Sequence, residues 1–421
     1  MSVIALLVLL GAVWYFTTPQ ERDRVRRAAL AMVDQVWGGA SRYWPARRPF
    51  DDALDARTPR PLVTPSIVAL MVGIFVCMLV SPGSFSDPET LVGWGASIGT
   101  RTANGEWWRL ATAMFVHASF LHLVANVAGL AQIGFITERF FGRFAFGSAY
   151  LGAGLLFGML SVLLHPIAVT TGASASVFAV YGMFATMLFA GMATPSPFTV
   201  PATTLLKIAP PAALFLLYSV AAGHAGLLEL SGLLVGLAYG FVLARTPMVD
   251  VSTVAVATDD MRDAVAPAFA SGVPLKRIAP ITAAVVLVVV AAGIPVRGVI
   301  DVRPEIARVA EIEDKTASVY DTAVRRFTNG ELTLKELVGV IERTILPELR
   351  AAQDRLKQLQ HVPREQTKLV AEADQYFKLR QESWQARAAG LRRTSLKGLR
   401  SPDDTEREAR ELLDNLRIAN P

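Results

Sequence analysis

TGASASVFAVYGMFATMLFAG, residues 171–191, decides the fold class. It opens on a glycine-serine loop and continues from about residue 173 as an apolar, uncharged run. A helix rising 1.5 Å per residue needs about 20 such residues to cross hydrocarbon. Comparable runs occupy about 62–81, 111–135, 144–164, 203–222 and 227–244, and a Val/Ala-rich seventh runs over about 278–296. Inside lipid, a lone segment satisfies its backbone groups only as a helix. The expected class is therefore all-α, a polytopic membrane protein. Composition agrees: of 421 residues, 52% are hydrophobic and 18% charged, against about 25% charged in ordinary soluble domains. Mean hydropathy is +0.39. A cytosolic globular enzyme and a disordered chain are both excluded.

The flanks carry the domain organisation. Residues 2–16 are apolar but short, and Arg22, Arg24, Arg26 and Arg27 follow the run rather than precede it. Residues 1–17 thus read as an N-terminal membrane anchor rather than a cleaved signal. The Arg-rich linker 18–61 is placed in the cytoplasm by the positive-inside rule. Counting crossings from there puts the loop 83–110 outside, a loop with Glu138, Arg139 and Arg143 inside, the polar loop 246–277 inside, an additional transmembrane helix over 278–297, and residues 301–421 outside. The expected location is a bacterial-type plasma (inner) membrane, multi-pass.

In residues 301–421 about a third of the side chains are charged. Leu332, Leu334, Leu337, Ile341 and Ile345 recur at helical spacing. Thr333 with Glu336, and Ser401 with Asp404 behind Pro402, are capping-box signatures. Asn329-Gly330 signals a turn. A helical extramembrane domain is expected, a small bundle or coiled-coil hairpin, suited to a partner or to self-association. The net charge of +5 comes without a basic stripe interleaved with aromatics, so no nucleic-acid partner is expected. Cys77 is the one cysteine, which excludes an intrachain disulfide and a cysteine zinc site. No cofactor and no metal are expected.

Polar residues within spans are costly and mark candidate sites. Trp107, Trp108 and Arg109 follow Gly105-Glu106, and His117, His122 and Asn126 come next. His122 and Asn126 are four apart on one helix face, a donor pair of the kind an oxyanion needs; plain interhelical hydrogen bonding is the alternative. Ser174 sits at a glycine-rich loop-to-helix junction, where a nucleophile is accessible; close helix packing by small residues is the alternative. Glu229-Leu230-Ser231-Gly232 runs on to Gly236 and Gly240, a flat face for close packing, and His224 lies five residues before Glu229.

These groups, in this order, resemble the rhomboid family of intramembrane serine proteases over about 62–245. Trp107-Trp108-Arg109 matches its first-loop motif. His117, His122 and Asn126 match its second span, Gly172-Ala173-Ser174 its serine motif, and Gly232 with Gly236 its sixth span. The resemblance implies a rhomboid-like six-helix core, here with extra N- and C-terminal spans, and a cavity open to the outside. It implies a serine–histidine dyad that cleaves transmembrane helices of other membrane proteins within the lipid bilayer, with His122 and Asn126 steadying the oxyanion.

Three departures fall together. Ala175 stands where the family has glycine after the serine. Counting back three residues from Gly232 puts Glu229 in place of the histidine, and Ser231 replaces a glycine. A carboxylate is a poor substitute for imidazole, and using His224 shifts the base about 7.5 Å along the helix axis. Ala175 and Ser231 are expected to hold the two helices apart. The sequence favours a catalytically impaired rhomboid-like protein, a pseudoprotease that binds membrane-protein clients. The alternative is an active protease with Ser174 as nucleophile and His224 or Glu229 as base. A transporter is disfavoured, because the chain has no matching halves.

Overall fold

The computed structural model describes residues 49–81, 83–85, 87–193, 199–223, 226–244, 275–393 and 404–419. The expectations for the 1–17 anchor, most of the 18–61 linker, the 246–274 loop, the Ser401 cap and His224 fall outside these residues. What is described is all-helical, apart from one isolated antiparallel bridge between Ser97 and Thr170. It divides into two compact units, one within Met1–Leu164 and Ala168–Pro295, the other within His165–Ile167 and Val296–Pro421.

The first unit begins with α1 (Pro49–Arg57) and continues with seven apolar helices. These are α2 (Val63–Val80), α3 (Phe120–Phe141), α4 (Arg143–Leu164), α5 (Ser174–Ala193), α6 (Ala202–Ala221), α7 (Leu227–Ala244) and α8 (Leu275–Gly293). Among the described residues, α2, α3, α4, α6 and α8 are each long and apolar enough to cross a membrane. With α5 and α7, this is the polytopic all-α arrangement the sequence implies.

Helix ends follow local chemistry. Leu62 precedes α2 and has no oxygen to cap it. The Glu138 carboxylate, fully buried in the last turn of α3, accepts the backbone N–H groups of Leu62, Val63 and Thr64 at 2.7, 2.8 and 2.7 Å. The sequence reading assigned Glu138 and Arg139 to a cytoplasmic loop. They are helical instead, and the joint between α3 and α4 is Gly142 alone, at φ +87°. The second span is also displaced from 111–135. Residues 109–115 form short turns, Val116 is extended, and α3 starts after Ser119, whose side chain accepts from the His122 N–H. The cap and the extended residues break the helix where the apolar run does not.

α5 lies at the centre. Ala175, Val177, Ala179, Val180, Met183 and Met187 are all fully buried. α6 carries Pro210 and Pro211 within the helix and buries only Ile208, Phe215 and Ser219. Proline removes an N–H and frees a carbonyl, a disruption that membrane helices tolerate where neighbours compensate. α8 buries Ile278 and turns Val286, Leu287, Val288 and Val290 outward, as a lipid-facing span does.

The second unit comprises α9 (Arg303–Thr328), α10 (Leu334–Val340), α11 (Leu346–Lys357), α12 (Thr367–Arg392) and α13 (Asp404–Ala419). Asn329 and Gly330, at φ +76°, make the turn after α9. Thr333 and Glu336 form a complete capping box at α10. Between α10 and α11 the helix widens to a π turn over Ile341–Ile345. Pro347 explains it: a proline ring clashes with the carbonyl four residues earlier, and a widened turn relieves the clash. Leu337, Ile341, Ile345, Leu349, Tyr376, Phe377 and Trp384 fill the core. Within it Arg380 donates to both oxygens of Glu313 at 2.8 and 2.7 Å, Tyr376 donates to Glu313, and Arg387 donates to Glu406.

Candidate active site

Ser174 is the first residue of α5 and is 3% exposed. The chain reaches it through a loop pinned at three points. Ser97 and Thr170 exchange backbone hydrogen bonds of 3.0 and 2.8 Å. The Thr170 hydroxyl pairs with that of Ser161 at 2.7 Å. The Gly172 N–H donates to the Ala113 carbonyl at 2.9 Å. Gly172 has φ +91°, and a Cβ there would lie 2.3 Å from His122 Cε1. Both facts require glycine. The loop therefore brings Gly172, two residues before Ser174, against the His122 ring, and the first N–H groups of α5 are unmatched within the helix.

His122 and Asn126 are buried on the first two turns of α3. Asn126 Nδ2 donates to the His122 carbonyl at 2.9 Å. That bond fixes the amide orientation, leaves one Nδ2 hydrogen, and leaves Oδ1 buried without a partner among the described residues. His117 precedes the span rather than lying on it. Its Nδ1 donates to the Phe115 carbonyl at 3.2 Å, so Nε2 carries the lone pair. Burial pushes this imidazole down to about 4, opposed by the Phe115 bond. The His117 ring meets the His122 ring edge-on at 4.9 Å, and Tyr218 of α6 stacks on His122 at 5.7 Å.

The first-loop motif is an anchor. Arg109 is 4% exposed and donates to the carbonyls of Val92 and Ala96 and to Glu106. Its guanidinium lies 4.5 Å from the Trp108 ring centroid. Trp107 and Trp108 are exposed, as suits side chains of the membrane interface.

α7 packs on α5 backbone to backbone. A Cβ on Gly232 would lie 1.9 Å from the Ala175 carbonyl oxygen, and one on Gly236 would lie 1.9 Å from that of Ala179. The paired numbers rise together, so the helices run in the same direction. Ala175 and Ser231 do not hold them apart, contrary to the expectation. Ala175 meets Gly232 through its carbonyl, and the Ser231 hydroxyl turns back to the Leu228 carbonyl at 2.5 Å. Three residues before Gly232, about 4.5 Å along the axis, Glu229 falls level with the start of α5. It is 9% exposed. Its Oε2 is 3.0 Å from where a Gly226 Cβ would be, so it turns toward the start of its own helix. Among the described residues Ser174 Oγ and the Glu229 carboxylate form no hydrogen bond, with each other or elsewhere.

Sequence reasoning missed Tyr218, which reads as one more residue in an apolar run. It also missed the Ser97–Thr170 bridge, which joins positions 73 apart and has no sequence signal.

Comparison with known proteins follows the same outline. The Rhomboid domain family matches residues 104–246. Rhomboid protease GluP of Bacillus subtilis (strain 168) is 34% identical over 123 residues, 29% of this chain and 24% of that protein. Rhomboid-like protease 3 of Toxoplasma gondii is 29% identical over 123 residues, 29% of this chain and 46% of that protein. RHOMBOID-like protein 7 of Arabidopsis thaliana is 34% identical over 105 residues, 25% of this chain and 32% of that protein. The chain thus spans under half the length of each of these curated relatives. In helix order and in motif order, residues 104–246 of this multi-pass all-α membrane protein match a rhomboid domain.

Proposed function

We propose that the domain keeps the substrate-holding half of an intramembrane serine endopeptidase site without its base, and that it binds transmembrane helices of client proteins without cleaving them. Nucleophilic attack by a serine needs a base within about 2.6–3.2 Å of the hydroxyl. The observation that carries the reading is the close contact of Gly232 and Gly236 with the Ala175 and Ala179 carbonyls. Glu229 lies three residues before Gly232, where the family resemblance calls for histidine, and this register supports that reading. A carboxylate is in general a weaker base than imidazole. The remainder of a binding site persists: the first N–H groups of α5 and the spare Asn126 Nδ2 hydrogen.

A fluorophosphonate probe, which reports an activated serine, tests this on purified full-length protein. Wild type is expected to label weakly and Glu229→His to label strongly, with Ser174→Ala as the blank. Strong wild-type labelling that disappears in Ser174→Ala overturns the reading. Loss of that labelling in His224→Ala would then identify His224 as the base.

A further inference from the structure

The groups around Ser174 are unbalanced in hydrogen-bonding type. His117 Nε2 is a lone-pair acceptor, since the ring proton sits on Nδ1, and it has no partner among the described residues. Asn126 Oδ1 is an acceptor in the same condition. The Glu229 carboxylate, nine-tenths buried, forms neither hydrogen bond nor ion pair there. Each is linked to the start of α5 through a neighbouring residue. His117 lies against His122, whose ring abuts Gly172. Asn126 is one turn further along α3. Glu229 is one turn above Gly232, which touches Ala175. Buried acceptors without donors are costly. Of these three, Glu229 is a carboxylate, an acceptor with no donor of its own when ionised.

From this we infer that the site selects client helices carrying an arginine or lysine near the membrane end at which α5 and α7 begin, with Glu229 as the pairing acid. The inference rests on the client-binding reading above. A guanidinium brings five N–H donors in a rigid fork and an ammonium brings three. Either supplies the donors that the Glu229 carboxylate lacks. A basic side chain inside a bilayer is itself costly and seeks an acid, so the client's burden and the site's are relieved together. Glu229 is the third residue of α7, where the helix dipole favours a negative carboxylate. It is the sole charged residue of that helix. A wholly aliphatic client leaves Glu229 unpaired, and an acidic client adds a second carboxylate.

The test uses full-length protein in lipid nanodiscs and fluorescent Leu/Ala transmembrane peptides. Each peptide carries a single Arg, Leu or Glu about one turn from the relevant end, and affinity is read by anisotropy. The Arg peptide is expected to bind about tenfold or more tighter than the Leu peptide, with the Glu peptide weakest. In Glu229→Gln, checked by its melt, the Arg advantage should fall to roughly twofold or less. Measurable but equal binding of the Arg and Leu peptides overturns the inference and leaves client binding standing. An Arg advantage that survives Glu229→Gln overturns it too. No binding of any peptide removes the client-binding reading as well. If Glu229→Gln fails to fold, the order Arg over Leu over Glu in wild type decides alone.

Discussion

Replacing Glu138 with alanine should be among the most damaging single changes in the membrane unit. Its carboxylate is fully buried and receives three backbone N–H groups at the head of α2, at 2.7, 2.8 and 2.7 Å. Leu62 is exposed, so water can replace the bond to its N–H; Thr64 is fully buried, so water cannot reach there. An orphaned buried donor costs about 1–3 kcal/mol, and a lost helix cap about 1 kcal/mol. With one N–H rescued, one partly rescued and one orphaned, the total is about 3 kcal/mol. At about 2–4 °C per kcal/mol for a domain of this size, melting should fall by about 6–12 °C. Glu138→Gln should lose less, but not nothing, because its NH2 must face one of the three donors. The assay is thermal unfolding of the full chain in detergent micelles, followed by tryptophan fluorescence. A fall of less than about 2 °C for Glu138→Ala would refute the argument that this carboxylate fastens α3 to the head of α2.

Other expectations follow from the same contacts. Adding Gly232→Ala to Glu229→His should abolish any restored probe labelling, because the new Cβ would lie 1.9 Å from the Ala175 oxygen and force α7 outward; retained labelling would contradict the packing. Glu313→Ala removes the bidentate partner of the Arg380 guanidinium, itself 2% exposed, and leaves it Glu406 at 3.7 Å, so it should cost a separately produced 296–421 unit about 3 kcal/mol in urea unfolding; a change under about 1 kcal/mol would count against the network. That unit should also weaken in acid. At Asp301 burial raises the carboxyl but is outweighed by hydrogen bonds from Arg303 and Gln366, and at Asp374 burial is outweighed by Lys378 and Gln353, so both sit below the usual range. Glu336 is lowered by the Thr333 backbone N–H and hydroxyl. A lowered folded pKa stabilises above the unfolded value, about 4, and the gain disappears as pH falls through the folded pKa. Its melting temperature should hold above about pH 5 and drop below about pH 4; a flat or rising profile would contradict these bonds.

The sequence was most informative where a helix needs nothing but apolar length. The runs at 62–81, 144–164, 173–191, 203–222 and 227–244 lie within about two residues of α2, α4, α5, α6 and α7. It misled at 111–135, because Met114 and Val116 are apolar for a different reason. They are buried in a connection, and Met114 fills the notch at Gly154. Glu138 misled for the converse reason: a charge at the end of an apolar run reads as interfacial, and nothing local reveals three N–H groups 74 to 76 residues away. In the site, Gly172, Ser174, His122 and Asn126 were legible as types at intervals. The orientation of the Asn126 amide and the stacking of Tyr218 on His122 depend on a fold no interval encodes.

The two halves of the site are held by separate means, and that separation bears on function. Ser174 is positioned by Thr170, by the Gly172 N–H on Ala113, and by the fit of Gly172 against His122. None of these involves α7. α7 in turn is seated by glycine contacts with backbone carbonyls of α5, which are indifferent to the side chain at 229. Exchange of the acid at 229 for an imidazole is therefore expected to leave the serine loop and the helix pair in place. It follows that a well-ordered Ser174 is no argument for hydrolysis, since the bonds that order it would persist with any residue at 229. It follows too that Glu229→His is a change of chemistry at nearly constant structure. If histidine there restores an activated serine while the melt stays put, the difference between holding a helix and cutting it lies in that one side chain.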